Sequence, residues 1–193
     1  MRAKSNGLFR TSHRIVALVA ISVSLVFAQQ SPTDQSGQSV DPLHTSSGKP
    51  TVLIFLTTDC PVSNRYAPTI QALASKYAGG VAFWLVYPAK SDSPTTIAAS
   101  VREYGYRTPW LRDPDRLLVH KAQATITPEA AVFDAQGHLQ YHGRIDDLYQ
   151  SIGRSRAAPT HHDVDDVLQQ ILAKQPVTSH DAPAVGCYIS DLQ

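Results

Sequence analysis

The chain has 193 residues, 42% hydrophobic and 17% charged, with a formal net charge of +1. These values suit one globular domain and exclude a low-complexity or highly charged disordered chain. With no basic surplus they also argue against a nucleic acid or an anionic membrane as partner.

Four basic residues and no acidic one precede Ile15–Ala28, a 14-residue stretch that is apolar but for Ser22 and Ser24 and ends Val26-Phe27-Ala28. This is the pattern of a secretory signal, so residues 1–28 are expected to be a signal peptide cleaved after Ala28. The run is short for a membrane span, so no stable span is expected after cleavage. Losing it removes four of the 17 basic residues and none of the 16 acidic ones, which leaves a net charge of −3. Residues 29–49 are rich in Ser, Gln, Asp, Gly and Pro without hydrophobic periodicity, and are expected to form a flexible linker. Residues 50–176 are read as the domain, and residues 177–193 as a tail that carries Cys187.

Within the domain, the β-branched run from Thr51 predicts a buried strand. After a turn holding Asp59, Cys60 and Pro61, apolar residues at Ile70, Leu73, Ala74 and Tyr77 predict one amphipathic helix, stopped by Gly79-Gly80. Val81–Tyr87 predicts a second strand, Thr95–Tyr104 a helix ended by Gly105, Thr108–Leu111 a short strand and Asp115–Gln123 a short helix. Ala130–Phe133 and His138–His142 predict a hairpin around Asp134–Gly137, and Val164–Ala173 a last helix. Early strand–helix alternation gives parallel strands with crossover helices, and the late hairpin adds antiparallel strands. The fold class is therefore α/β, with a central mixed sheet flanked by helices in a single domain.

Cys60 is one of only two cysteines and sits where a strand end meets a helix start. Free backbone N–H groups and the positive end of a helix favour a thiolate there. Asp59 beside it opposes that effect. In an exported protein the second cysteine, Cys187, can bridge to Cys60, and Gly186 before it lets the backbone approach another element closely. Such a bridge would close about 127 residues, worth on the order of 5 kcal/mol in the chain-entropy model. That figure suits a working redox pair and a structural staple equally.

Four ordered segments carry a resemblance: DCPVSNRYAP from Asp59, TPEAAVFD from Thr127, GRIDD from Gly143 and PAVGC ending at Cys187. Across Pro50–Ile189 the chain resembles exported redoxin (AhpC/TSA-type) domain proteins of the thioredoxin-like superfamily. The resemblance implies a thioredoxin-like fold and a periplasmic or secreted, bacterial thiol–disulfide oxidoreductase. In it Cys60 is the attacking thiol and Cys187 the resolving one, since Ser63 stands where thioredoxin has its second cysteine. Thr127-Pro128 resembles the cis-proline turn that faces the active cysteine and positions substrate, and Thr57 and Arg144 resemble substrate-holding residues of peroxiredoxins. The implied partners are a thiol, disulfide or peroxide substrate, either protein or small molecule, and an external reductant, with no cofactor and no metal. Two alternatives stay open. A thiol peroxidase would use Cys60 with Thr57 and Arg144, although Leu53 stands where the peroxiredoxin pattern has Pro. A copper-binding or docking module would use Cys60, Cys187 and His180 with no catalysis, although Asn64 stands where the SCO-type pair needs Cys.

Overall fold

The structure is a computed structural model that describes residues 31–44, 48–178 and 181–189. The elements run β1 (Thr33–Asp34), β2 (Thr51–Phe55), α1 (Pro61–Arg65), α2 (Ala67–Lys76), β3 (Ala82–Tyr87), α3 (Pro94–Glu103), β4 (Trp110–Arg112) and α4 (Leu117–Ala122). They continue with β5 (Ile126–Thr127), β6 (Glu129–Phe133), β7 (Leu139–Gly143), β8 (Tyr149–Ser151), β9 (Arg154–Ser155), α5 (Asp163–Leu172) and β10 (Cys187–Tyr188). Six strands form one sheet in the order β1-β4-β3-β2-β6-β7. β2, β3 and β4 pair in parallel, as the crossover helices require, while β6 and β7 pair antiparallel as a hairpin. This is the central mixed sheet that the sequence predicts.

Strand β2 runs through the centre and is buried throughout, so its alternate side chains feed two cores. Val52 and Ile54 face a cluster with Tyr66, Ile70, Ile97, Val164 and Leu168, drawn from helices on one side. Leu53 and Phe55 face Leu118, Val119 and Ala122 of α4, together with Leu43 and Ile189. A strand covered on both faces is buried at every position, which is why Val52–Phe55 is a continuous apolar run and Thr51 gives its hydroxyl to the Pro42 carbonyl.

Four features differ from the sequence reading. The expected single helix after Cys60 is broken at Tyr66 into α1 and α2. Pro68 has no N–H to give to Asn64, so the helical ladder cannot run through. The expected linker is partly built into the sheet: Thr33 and Asp34 pair with Arg112 and Leu111 of β4. The Asp34 carboxylate closes a turn by accepting from the N–H groups of Ser36 and Gln38, an ordering device that a search for hydrophobic periodicity does not register. The ordered fold thus begins ahead of Pro50. The GRIDD segment, to which the sequence reading assigns no element, is buried at its acidic end, with Asp146 and Asp147 each 3% exposed. Asp146 accepts from the Tyr66 hydroxyl (2.7 Å), and Asp147 from the Thr160 N–H and hydroxyl (both 2.6 Å). Finally, β8 and β9 make a small exposed hairpin that the sequence reading lacks.

No helix among the described residues is long and apolar enough to cross a membrane. The expected signal segment, residues 1–28, lies outside the described residues.

Candidate active site

Cys60 is the N-cap of α1, directly after the loop that leaves β2, with extended backbone (φ −85°, ψ 111°). Its carbonyl accepts from Asn64 N–H, and Pro61 fills the first helical position, where no donor is needed. The loop is held from behind by Asp92 on the β3–α3 connection. That carboxylate accepts from the Thr58 hydroxyl (2.6 Å) and the Thr58 N–H (3.3 Å).

Across from Cys60 lies the Thr127–Pro128 peptide, which is cis. The Cys60 thiol faces the Thr127 carbonyl at 3.2 Å, and the hydroxyls of Thr57 and Thr127 meet at 3.2 Å. Glu129, buried at 4% exposure, shapes this segment by accepting from the N–H groups of Thr125 (2.8 Å) and Ile126 (3.0 Å). The acidic residue of the TPE segment is therefore an internal brace for β5.

Cys187 arrives from the far end of the chain. β10 pairs antiparallel with β5, with Cys187 opposite Thr127, and Ile189 N–H donates to the Thr125 carbonyl. Gly186 lies so close to the Thr127 carbonyl that a Cβ there would collide with it, which is the close approach expected of that glycine. The result is a Cys187 thiol that donates to Cys60 Sγ at 2.6 Å across 127 residues of sequence.

The electrostatics of the two thiols diverge. Burial pushes the Cys60 thiol up, but the Cys187 thiol, the Ser63 and Val62 N–H groups and the nearby Ser63 hydroxyl outweigh it, and its pKa is lowered. Burial pushes Cys187 up, and the adjoining Cys60 and Asp59 push it further the same way. The site therefore favours a thiolate at Cys60 over one at Cys187. Ser63, in the position of thioredoxin's second cysteine, is 1% exposed, and its hydroxyl has no other partner. It is placed to donate to a Cys60 thiolate.

Of the six residues singled out from sequence, five converge: Cys60, Cys187, Thr57, Thr127 and Pro128. Arg144 does not join them. Its guanidinium donates to both oxygens of Asp163 (2.8 and 3.2 Å), anchoring the first turn of α5, and its charge is reinforced by that carboxylate. Cys60 itself is fully buried, with the tail's Cys187 and the Thr127 carbonyl against its sulfur. The sequence reading missed Ser63 as a donor, Asp92 behind the loop, and the tail anchor: His142 lies between Glu129 (3.2 Å) and Asp181 (3.3 Å). None of these partners is at a spacing that marks it in sequence. The thiol pair lacks a third ligand among the described residues, where no group of three His, Cys, Asp or Glu is arranged to hold a metal. His180, weighed as a metal ligand, lies outside the described residues. A cavity of about 460 Å³ beside Trp84 and Arg107 lies at the other end of the strands and includes none of these residues.

Comparison with known proteins gives the following. The family model described as AhpC/TSA matches residues 20–142. No curated protein matches the chain. An uncharacterized conserved protein from Geobacillus kaustophilus is similar in structure, with a TM-score of 0.72 and 25% identity over 82% of this chain and 86% of its own. A hypothetical protein from Sinorhizobium meliloti 1021 gives a TM-score of 0.72 and 23% identity over 88% of this chain and 94% of its own. A protein titled as a secreted Mycobacterium tuberculosis disulfide oxidoreductase homologous to E. coli DsbE gives a TM-score of 0.50 and 23% identity over 76% of this chain and 96% of its own. The last two likenesses concern the fold.

Proposed function

The chain belongs to the AhpC/TSA family, and from that premise we propose that it is an extracytoplasmic thiol–disulfide oxidoreductase with Cys60 and Cys187 as its redox pair. The observation that carries this reading is the 2.6 Å contact between the two sulfurs, with Cys60 lowered in pKa and Cys187 raised. The exchange needs a nucleophilic thiolate and a second thiol within bonding reach, and two adjacent sulfurs shifted in opposite directions support that role.

In the proposed cycle the Cys60 thiolate attacks a substrate disulfide while the tail is lifted, and one substrate sulfur leaves as a thiolate. Cys187 then gives up its proton and attacks the Cys60 sulfur of the mixed disulfide. The second substrate thiol is released, and the Cys60–Cys187 bridge forms. An external thiol reductant reopens the bridge. Thr57, Thr127 and Pro128 are proposed to position substrate, with Thr127 offering backbone to an extended chain. Arg144 is left out of this set because Asp163 holds it. The Thr57 hydroxyl is engaged with the Thr127 hydroxyl, which favours thiol exchange over peroxide reduction. Export rests on the signal pattern of residues 1–28.

The test is reduction of a disulfide substrate such as insulin by a dithiol through the wild type, Cys60→Ser and Cys187→Ser. Cys60→Ser is expected to lose all activity above background. Cys187→Ser is expected to stall as a mixed disulfide on Cys60. Full exchange activity in Cys60→Ser would overturn the reading.

A further inference from the structure

At the end of the strands away from Cys60, the cavity of about 460 Å³ beside Trp84 has three kinds of wall. Its volume lies within the roughly 300–1,000 Å³ of small-molecule sites. One wall is α2 and the turn after it, where Ala74, Ser75 and Ala78 are too small to fill the space. The second wall is the outer edge of β3. The Ala82 N–H is turned towards β2, where it donates to the Pro50 carbonyl (2.9 Å), so the Phe83 N–H and carbonyl point the other way, towards β4. β4 pairs with β3 only from Leu85 onward. Pro109 runs past Phe83 but has no N–H to give its carbonyl, and among the described residues nothing bonds the Phe83 N–H or carbonyl. Phe83 belongs to the core under α2 and Trp84 to the core on the opposite face, so the cleft wraps this open edge. The third wall carries charge. Lys49 and Arg107 are both exposed, and among the described residues neither side chain makes an ion pair or hydrogen bond.

We propose that this cleft binds a small organic anion, a monocarboxylate with an apolar body. The carboxylate lies between Lys49 and Arg107, whose planar guanidinium offers two parallel donors to its two oxygens. The apolar body lies over Ala74, Ala78 and Val81 and round the edge to Trp84. The Phe83 N–H and carbonyl, which backbone pairing leaves open, need a partner from solvent or ligand and so add a polar contact inside the cleft. The site uses none of the residues around Cys60 and Cys187, so it stands or falls separately from the oxidoreductase reading.

Other occupants fit less well. An extended peptide adding to β3 needs successive open positions on this edge, but the Val81 and Leu85 N–H groups that flank Phe83 are taken by the Tyr77 and Pro109 carbonyls (both 3.0 Å). A cation meets two like charges. A wholly polar anion such as phosphate leaves the alanine and tryptophan walls in water, and the Gln71 amide that could add a donor is committed to the Tyr104 carbonyl (3.1 Å).

The experiment titrates octanoate into the protein by calorimetry, with octylammonium and inorganic phosphate as comparison probes. Saturable binding of octanoate with a Kd below about 1 mM is expected, and binding of the other two at least about tenfold weaker. Octanoate is also expected to change tryptophan emission, and Trp84→Phe to lose that change although Trp110 remains. Lys49→Gln and Arg107→Gln, both at exposed positions, should each weaken octanoate by about fivefold. Ala78→Leu, at an exposed position after α2, should fill the cleft and weaken octanoate by at least about tenfold with no change in the thermal midpoint. No saturable octanoate binding overturns the proposal. So does phosphate or octylammonium binding as tightly as octanoate, or an affinity unchanged in the Lys49→Gln, Arg107→Gln double variant or in Ala78→Leu.

Discussion

At Cys60 two effects of opposite sign meet. Burial at 0% exposure penalises a thiolate, while donors from Cys187, Ser63 and Val62 reward it, and the donors prevail. Ser63 is the donor that can be removed with least disturbance, since its hydroxyl has no other partner. Ser63→Ala is expected to move the pH midpoint of Cys60 alkylation upward and to slow labelling at pH 7 by roughly three- to tenfold. The pH profile of mass-mapped iodoacetamide labelling in Cys187→Ser, with and without Ser63→Ala, measures it, and an unchanged midpoint would remove Ser63 from the site. At this scale the sequence was partly legible. Cys60 and the Thr127-Pro128 turn stand in short motifs whose residue types declare their chemistry, and Gly186 declares close packing. Glu129, His142 and Asp181 are separated by 13 and 39 residues, and only folding makes them neighbours. Arg144 illustrates the converse: the resemblance put it at the thiol, while Asp163, which offers a bidentate partner, holds it at α5.

Among the elements, short α4 is the one whose survival depends most visibly on a single side chain. Arg116 before it adopts a left-handed conformation (φ 59°), and six residues are too few to be helical alone. Asp113, fully buried, accepts from the N–H groups of Leu117, Leu118 and Val119 and so closes the first turn. Asp113→Ala is expected to cost about 1–2 kcal/mol in urea unfolding, because those donors lose their acceptor. Burial pushes the Asp113 carboxyl up to about 6 despite these bonds. A group whose pKa is raised on folding contributes most below its unfolded value and less as pH rises through the folded one. The cost of Asp113→Ala is therefore expected to be larger at pH 5 than at pH 8, and the reverse trend would contradict the assignment. Sequence patterning located this helix and the other long elements, since apolar periodicity and Gly or Pro stops report directly on burial. It failed where polar side chains do the ordering, at the Asp34 turn of β1 and at the buried Asp146 and Asp147, and where Pro68 cut a periodic run in two.

Over the whole molecule, a sheet with two covered faces holds the β2–α1 junction and the β5–β6 turn rigidly against each other, and the chain end returns to place its cysteine between them. The fold class was legible because strand–helix alternation followed by a hairpin leaves few topologies. The docking of residues 181–189 was legible only as far as Gly186 and Cys187, since the rest of that segment is held by backbone contacts to Thr125 and Arg144 and by Asp181 against His142, partners far away in sequence. The central claim is that Cys60 and Cys187 form a working redox pair, and the alternative with equal loop-closure stabilisation is a permanent staple. A Cys60 thiolate favoured by its surroundings would stabilise the reduced form, and a potential above that of a structural disulfide is expected. The measurement that separates the two is the reduction potential of the pair, read by alkylation after equilibration in thiol–disulfide buffers. The account predicts a value between about −120 and −270 mV, in the range of working oxidoreductases. A value below about −300 mV, or two thiols that stay free in oxidising buffer, would contradict it.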